Sequence, residues 1–174
     1  ENDEMEVELT EIPAEMFEPE NLPHDIVFED DFLAVINKPA GMVVHPGAGI
    51  SSGTLANAIA YHFKFQISDS NVDSSSENNN RVGIVHRLDK DTSGLIVVAK
   101  DINTHEALSA QFHDRTVYKR YLALVHGEIE ENTGTVDAPI AREKHNRTKM
   151  AVRGHGRNAL SLWQVKQRFE KFTL

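Results

Sequence analysis

The chain has 174 residues, 40% of them hydrophobic and 26% charged, with a formal net charge of −9. That is enough apolar material for one domain with a real core, and no apolar run nears the roughly 20 residues of a membrane span. The absence of cysteine excludes a disulfide scaffold and thiolate zinc sites and fits a reducing compartment, so a cytoplasmic protein without membrane contact is expected.

Residues 1–31 hold 13 of the 27 acidic side chains and no lysine or arginine, which leaves 14 acids against all 18 bases in the rest. A negative total speaks against nucleic acid only when the charge is evenly spread. Here the part expected to fold is mildly basic and the acid sits in a leader. That start lacks the basic and then apolar pattern of a signal peptide. Residues 1–24, with three prolines and no sustained period, read as an acidic linker or extended arm.

Ile26-Val27-Phe28 and Phe32-Leu33-Ala34-Val35-Ile36 flank the acidic triplet Glu29-Asp30-Asp31 and predict a hairpin. Lys38-Pro39-Ala40-Gly41 predicts a turn, because proline presets φ and glycine accepts a left-handed backbone. Met42-Val43-Val44 reads as a short strand ended by His45-Pro46-Gly47. Thr54 suits the cap of a helix through Phe63. Residues 66–80 are polar and low in complexity and read as a mobile surface loop inside the domain.

Beyond the loop, Leu95 to Ala99 predicts a strand, and Asn103 with Glu106 a capping box opening a helix that turns Ala107, Leu108 and Phe112 to the core. Thr116 to Val125 alternates as a strand does and ends at Gly127. Shorter strands are expected around Thr135-Val136, Thr148 to Val152 and Ala159 to Val165. Strands outnumber helices and short turns join them, which predicts a mixed α+β fold on a largely antiparallel or mixed sheet.

The chemistry concentrates in residues 86–95, His86-Arg87-Leu88-Asp89-Lys90-Asp91-Thr92-Ser93-Gly94-Leu95, at the end of the apolar run Val82-Gly83-Ile84-Val85. A carboxylate at a strand end, between turn residues and beside a cation, suits a catalytic loop; taken alone it equally suits a cap or an ion pair. Asp91, Thr92 and Ser93 read as turn supports. Positive charge concentrates in residues 142–157, where Arg142, Lys144, Arg147, Lys149, Arg153 and Arg157 face only Glu143. Taken alone, such a run is a solvated face.

With these residues in view the chain resembles the pseudouridine synthases of the large-subunit ribosomal RNA type, the RluA/RluD-like family. Four blocks carry the resemblance: Asn37-Lys38-Pro39-Ala40-Gly41 through His45-Pro46-Gly47, Gly83 to Leu95, Lys119 to Val125, and Asp137-Ala138-Pro139-Ile140. It runs from about Asp25 to the last residue and implies the pseudouridine synthase fold. It also implies isomerisation of a uridine within RNA: the base leaves ribose C1′, rotates and rejoins through C5, with neither cofactor nor metal.

On this resemblance Asp89 falls on the essential aspartate. It attacks ribose C1′ or uracil C6 as a nucleophile, or takes the C2′ proton to give a glycal; the three routes stay open. Arg87 is expected to help fill the space left by the extruded nucleotide. Tyr121 is expected to stack on the uracil and to assist proton transfer at C5. Lys38 and His86 join Arg142, Lys144, Arg147 and Lys149 as residues expected toward substrate RNA. Lys38, with His45, is expected to shape the wall of the site, and His86 to contact substrate or support the loop. RNA phosphates require lysine and arginine, so the basic run gains a partner.

The resemblance places residues 25–174 as the N-terminal portion of a catalytic domain, after a missing S4-type RNA-binding domain. A later block of the type Gly-Arg-x-His-Gln-Ile-Arg, whose basic residue pairs with the aspartate, is absent. The 174 residues alone are therefore expected to be weakly active or inactive, and prone to associate through exposed strand edges. Large-subunit ribosomal RNA is the first expected substrate and transfer RNA the second, with no obligate protein partner. A non-catalytic RNA-binding module is the alternative. A kinase loop does not fit, because its His-Arg-Asp order and its asparagine spacing are not met. A metal hydrolase does not fit either, because nine histidines form no His-Glu-x-x-His set.

Overall fold

The computed structural model describes residues 18–47, 49–63, 83–144 and 149–174. The chain divides into two compact units, one up to Tyr118 and one from Lys119.

The first unit is built on a three-stranded antiparallel sheet in the order β1 (Asp25–Glu29), β2 (Leu33–Lys38), β3 (Gly94–Ala99). The expected hairpin is present, closed by Asp30, whose carboxylate accepts the N–H groups of Phe32 and Leu33 at 2.8 Å each. The β1–β2 register shifts between Ile26 and Phe28, so Val27 bulges from the edge strand. β2 and β3 pair in register from Leu33↔Ala99 to Lys38↔Gly94. Strand alternation turns Ala34, Ile36 and Lys38 to the buried face.

Helix α1 (Leu55–His62) closes the core from that face, with Leu55, Ala56 and Ile59 against Ile36, Val44, Ile84, Ile96 and Val98. Thr54 caps it as expected, in a capping box with Asn57. Met42-Val43-Val44 is not the expected strand. The carbonyls of Val43 and Val44 accept the N–H groups of Leu55 and Ala56 at 2.9 and 3.0 Å, satisfying the orphan donors of the helix start. Backbone committed to a helix end is unavailable to a sheet.

Where the structure describes it, the leader runs without regular structure and docks on the start of α1. Glu20 N–H donates to the Asn57 carbonyl at 3.0 Å, and the Asn57 side chain returns a hydrogen bond to the Glu18 carbonyl at 2.8 Å. Gly53 N–H donates to the Glu20 carboxylate at 2.9 Å. The buried side chain of Asn57 thus places its oxygen on Thr54 and its NH2 on the leader. The acidic stretch 1–17 and the polar loop 66–80 lie outside the described residues.

Helix α2 (Ile102–His113) packs on β3. Its cap is Asp101, not the expected Asn103–Glu106 box: the Asp101 carboxylate accepts Thr104 N–H at 2.9 Å and the Thr104 hydroxyl at 2.6 Å. Leu108 and Phe112 are half-buried, while Ala107 is exposed.

The second unit consists of antiparallel ribbons: β4 (Val125–His126) with β9 (Phe172–Thr173), β5 (Thr133–Asp137) with β8 (Leu160–Gln164), and β6 (Ile140–Arg142) with β7 (Met150–Val152). Gly134 lies beneath the Trp163 ring, where an added Cβ would stand 2.3 Å from it. Arg168 ties the 129–132 turn by donating to the carbonyls of Ile129, Glu130 and Glu131 and to the Asn132 side chain. The expected strand from Thr116 to Val125 is reduced to its last residue, which pairs with Thr173. Helices with wholly antiparallel strand pairings among the described residues make this an α+β fold.

Candidate active site

The approach to Asp89 begins at Gly83. Its φ is +50°, and a Cβ there would meet the Ala99 carbonyl oxygen at 1.9 Å, so only glycine lets the chain lie this close to β3. Ala99 N–H donates to the Gly83 carbonyl at 2.8 Å, and Ile84 bridges Val98. Past Ile84 the chain leaves the strand. His86 stays attached through its ring: Val97 N–H donates to Nε2 at 2.9 Å, and the imidazole stacks on Phe112 of α2 with centroids 4.4 Å apart and planes at 16°.

Asp89 opens a tight turn in which its carbonyl accepts Thr92 N–H at 3.2 Å. The side chains of Arg87, Asp89 and Asp91 are exposed, and Leu88 packs partly on the core. The turn is tied down at the Lys90 carbonyl by two donors. Gly41, at φ +88°, donates its N–H to the Lys90 carbonyl at 2.8 Å. Lys38 reaches the same carbonyl from below at 3.0 Å.

Lys38 is the hub of this arrangement. Its exposure is 0%, and its ammonium donates to the carbonyls of Pro39, Met42 and Lys90 at 2.9, 2.8 and 3.0 Å. Three donors thus meet three acceptors. Burial pulls the Lys38 pKa below the usual lysine value, and the negative charges of Asp91 and then Asp89 partly offset that pull. A fixed positive charge therefore lies within electrostatic reach of Asp89. Its donors are occupied by protein, which suits a wall residue rather than a phosphate ligand. The sequence signal for this placement is the two-residue period of Ala34, Ile36 and Lys38.

Lys38, His86, Arg87 and Asp89 all lie in the first unit. The second carries Tyr121, which is 60% exposed on a segment without regular structure. It also carries Arg142 at the end of β6, with Lys144 and Lys149 exposed beyond the strand ends; Arg147 lies outside the described residues. The basic run is less uniform than its letters suggest. Arg153 donates from Nη2 to both oxygens of Glu143, and the Glu143 N–H donates to the Lys149 carbonyl at 2.9 Å. Arg153 is held across the hairpin, a pairing that spacing alone did not disclose.

The family model described as RNA pseudouridylate synthase matches residues 32–174. Among curated relatives, a ribosomal large subunit pseudouridine synthase D of Zymomonas mobilis is 51% identical over 80% of this chain and 42% of its own length. An uncharacterized RNA pseudouridine synthase of Bacillus subtilis is 47% identical over 86% of this chain and 47% of its own. The chain spans less than half the length of these relatives. Among solved structures, human RNA pseudouridylate synthase domain containing 4 is similar with a TM-score of 0.62 and 26% identity, over 86% of this chain and 56% of that one. Human RNA pseudouridylate synthase domain containing 1 has a TM-score of 0.66 at 20% identity, over 94% and 60%, and supports the fold. With the motif around Asp89, the fold and these matches in agreement, the chain belongs to the RNA pseudouridylate synthase family.

Proposed function

We propose that the protein isomerises uridine to pseudouridine in large-subunit ribosomal RNA, with Asp89 as the catalytic carboxylate. The observation that carries this reading is the Asp89 turn: an exposed carboxylate on a loop fixed at the Lys90 carbonyl by Gly41 and by the buried Lys38 ammonium. Catalysis by a carboxylate at carbon needs a held trajectory, and a turn anchored at the Lys90 carbonyl by two donors supports this reading. The buried Lys38 ammonium adds a positive charge within electrostatic reach of the turn.

Arg87 and Tyr121 are assigned supporting roles. Arg87, exposed two residues before the carboxylate, occupies the space that an extruded nucleotide vacates. Tyr121 offers an exposed ring for stacking and a hydroxyl for the C5 proton. Arg142, Lys144, Arg147 and Lys149 contact phosphates. Several relatives are named for the ribosomal large subunit, which favours ribosomal over transfer RNA as substrate. We assign residues 25–174 to the catalytic domain.

The test is tritium release from RNA labelled at uracil C5, with the protein at its full natural length. Release is expected for the wild type and is expected to vanish in Asp89→Asn. RNA binding without release by the wild type would identify a binding module instead. Release from transfer RNA but not from ribosomal RNA would reassign the substrate.

A further inference from the structure

We infer that His86 is a positioning residue whose neutral imidazole stands in for a strand partner of β3 and so fixes the path of the chain into Asp89. The inference starts from the outer edge of β3, the side away from β2. Ala99 and Val97 both point their N–H groups to this edge. At Ala99 the donor is met by backbone, the Gly83 carbonyl at 2.8 Å. Two residues along, at Val97, it is met by the Nε2 atom of His86 at 2.9 Å.

The substitution of ring for carbonyl has a geometric consequence. A continued strand would keep residues 85–89 flat against β3. A side chain that satisfies the Val97 donor lets the backbone bow outward while the edge loses no hydrogen bond. The bowed segment is the one that delivers Arg87 and Asp89 to the surface. An Nε2 that accepts an N–H carries no proton, so this contact fixes the ring as the neutral tautomer protonated on Nδ1. Phe112, stacked at 4.4 Å and 16°, holds the ring plane and links the loop to α2.

His86 therefore governs Asp89 through the backbone without touching the reacting atoms. The catalytic consequence rests on Asp89 being the catalytic carboxylate; the hydrogen bond does not. Two readouts keep these apart. In the 15N-labelled chain, long-range proton–nitrogen correlation is expected to show His86 with a protonated Nδ1 and a bare Nε2, assigned by its loss in His86→Gln. A protonated Nε2 in the folded chain would overturn the inference.

In the enzyme at full natural length, three variants separate acceptor from ring. His86→Phe keeps a stacking ring without an acceptor, His86→Gln keeps an acceptor without the ring, and His86→Ala keeps neither. Misplacement of the carboxylate by about 1 Å is expected to lower kcat by about 10- to 100-fold in the Phe and Ala variants, with KM within about threefold. The Gln variant is expected to recover to within about fivefold of wild type. A Phe variant as fast as wild type, or a Gln variant no faster than Phe, would show that the acceptor does not position Asp89. Wild type without pseudouridine formation would sink the proposed function and the kinetic consequence together, while the imidazole spectrum still decides the hydrogen bond.

Discussion

Lys38 concentrates several interactions in one side chain. Replacing it with methionine keeps most of the volume and removes all three donors; the Lys90 carbonyl keeps the Gly41 N–H, while those of Pro39 and Met42 must find other partners. Stranded acceptors that are partly buried cost about 1 kcal/mol each, so Lys38→Met is expected to lose roughly 2 kcal/mol in denaturant unfolding. The pH dependence has a definite sign. The folded pKa lies below the unfolded one, so between the two values the unfolded chain binds more protons and stability rises with pH. Wild type should show that rise in the alkaline range and Lys38→Met should lack it. Gly83→Ala sets a β-carbon against the Ala99 carbonyl at a positive φ and is expected to cost roughly 2–4 kcal/mol in the same measurement. Lys38 read as the start of a turn, and only the pairing of β2 with β3 shows it as the last, inward-facing residue of a strand. Gly83 was not legible either, because nothing in Val82-Gly83-Ile84 announces that another strand passes so close.

At the level of elements, the reading held where local chemistry decides structure. Thr54 and Asn57 form a capping box from adjacent residues, and the Asp30 turn closes its hairpin by the same kind of local bond. It failed where a partner distant in sequence decides. Thr116 to Val125 alternates like a strand, yet alternation supplies only a face; a strand also needs a neighbour, and among described residues only Val125 of this stretch has one. Val43 and Val44 were claimed instead by a helix start. Two predictions belong here. Ile59→Ala, within a helix buried from Leu55 to Ala60, is expected to cost about 2–5 kcal/mol on thermal or denaturant unfolding. Asp101 has its pKa lowered, first by the Thr104 hydroxyl and then by the Thr104 N–H. Its contribution is therefore present above the unfolded carboxylate pKa and lost as pH falls through the lower folded value. Helicity followed by circular dichroism should fall with acid in wild type, and Asp101→Ala should start lower and lack that component.

For the molecule as a whole, the family was legible because it is carried by four short blocks, whereas the second unit's Glu143–Arg153 pair needed coordinates. That pair bears on RNA binding. With Arg153 engaged across the hairpin, Arg142, Lys144 and Lys149 are exposed cations on the same hairpin. Lys149→Ala is expected to reduce the slope of log affinity against log salt by about 0.7–0.9 for one lost phosphate contact; an unchanged slope would place the RNA elsewhere. The junction of the two units is marked by exposed residues such as Tyr118 and Leu122, 83% and 70% exposed, flanking Lys119 and Arg120. Limited trypsin treatment of the 174-residue chain is expected to cut after Lys119 or Arg120 early, which mass spectrometry of the first products would reveal.

The bulge at Val27 bears on how the sheet ends. β1 is an outer strand with Val27 and Phe28 half in solvent, the composition that invites a stray strand to add itself. A register shift at Ile26/Phe28 breaks the even row of donors and acceptors such a newcomer would need, and Glu29-Asp30-Asp31 repels a second copy of the same edge. Removing one residue to restore a flat edge should turn this margin into a seed for fibre-like stacking, visible as growing light scattering at neutral pH. Geometry and like charge thereby limit sheet growth on this side.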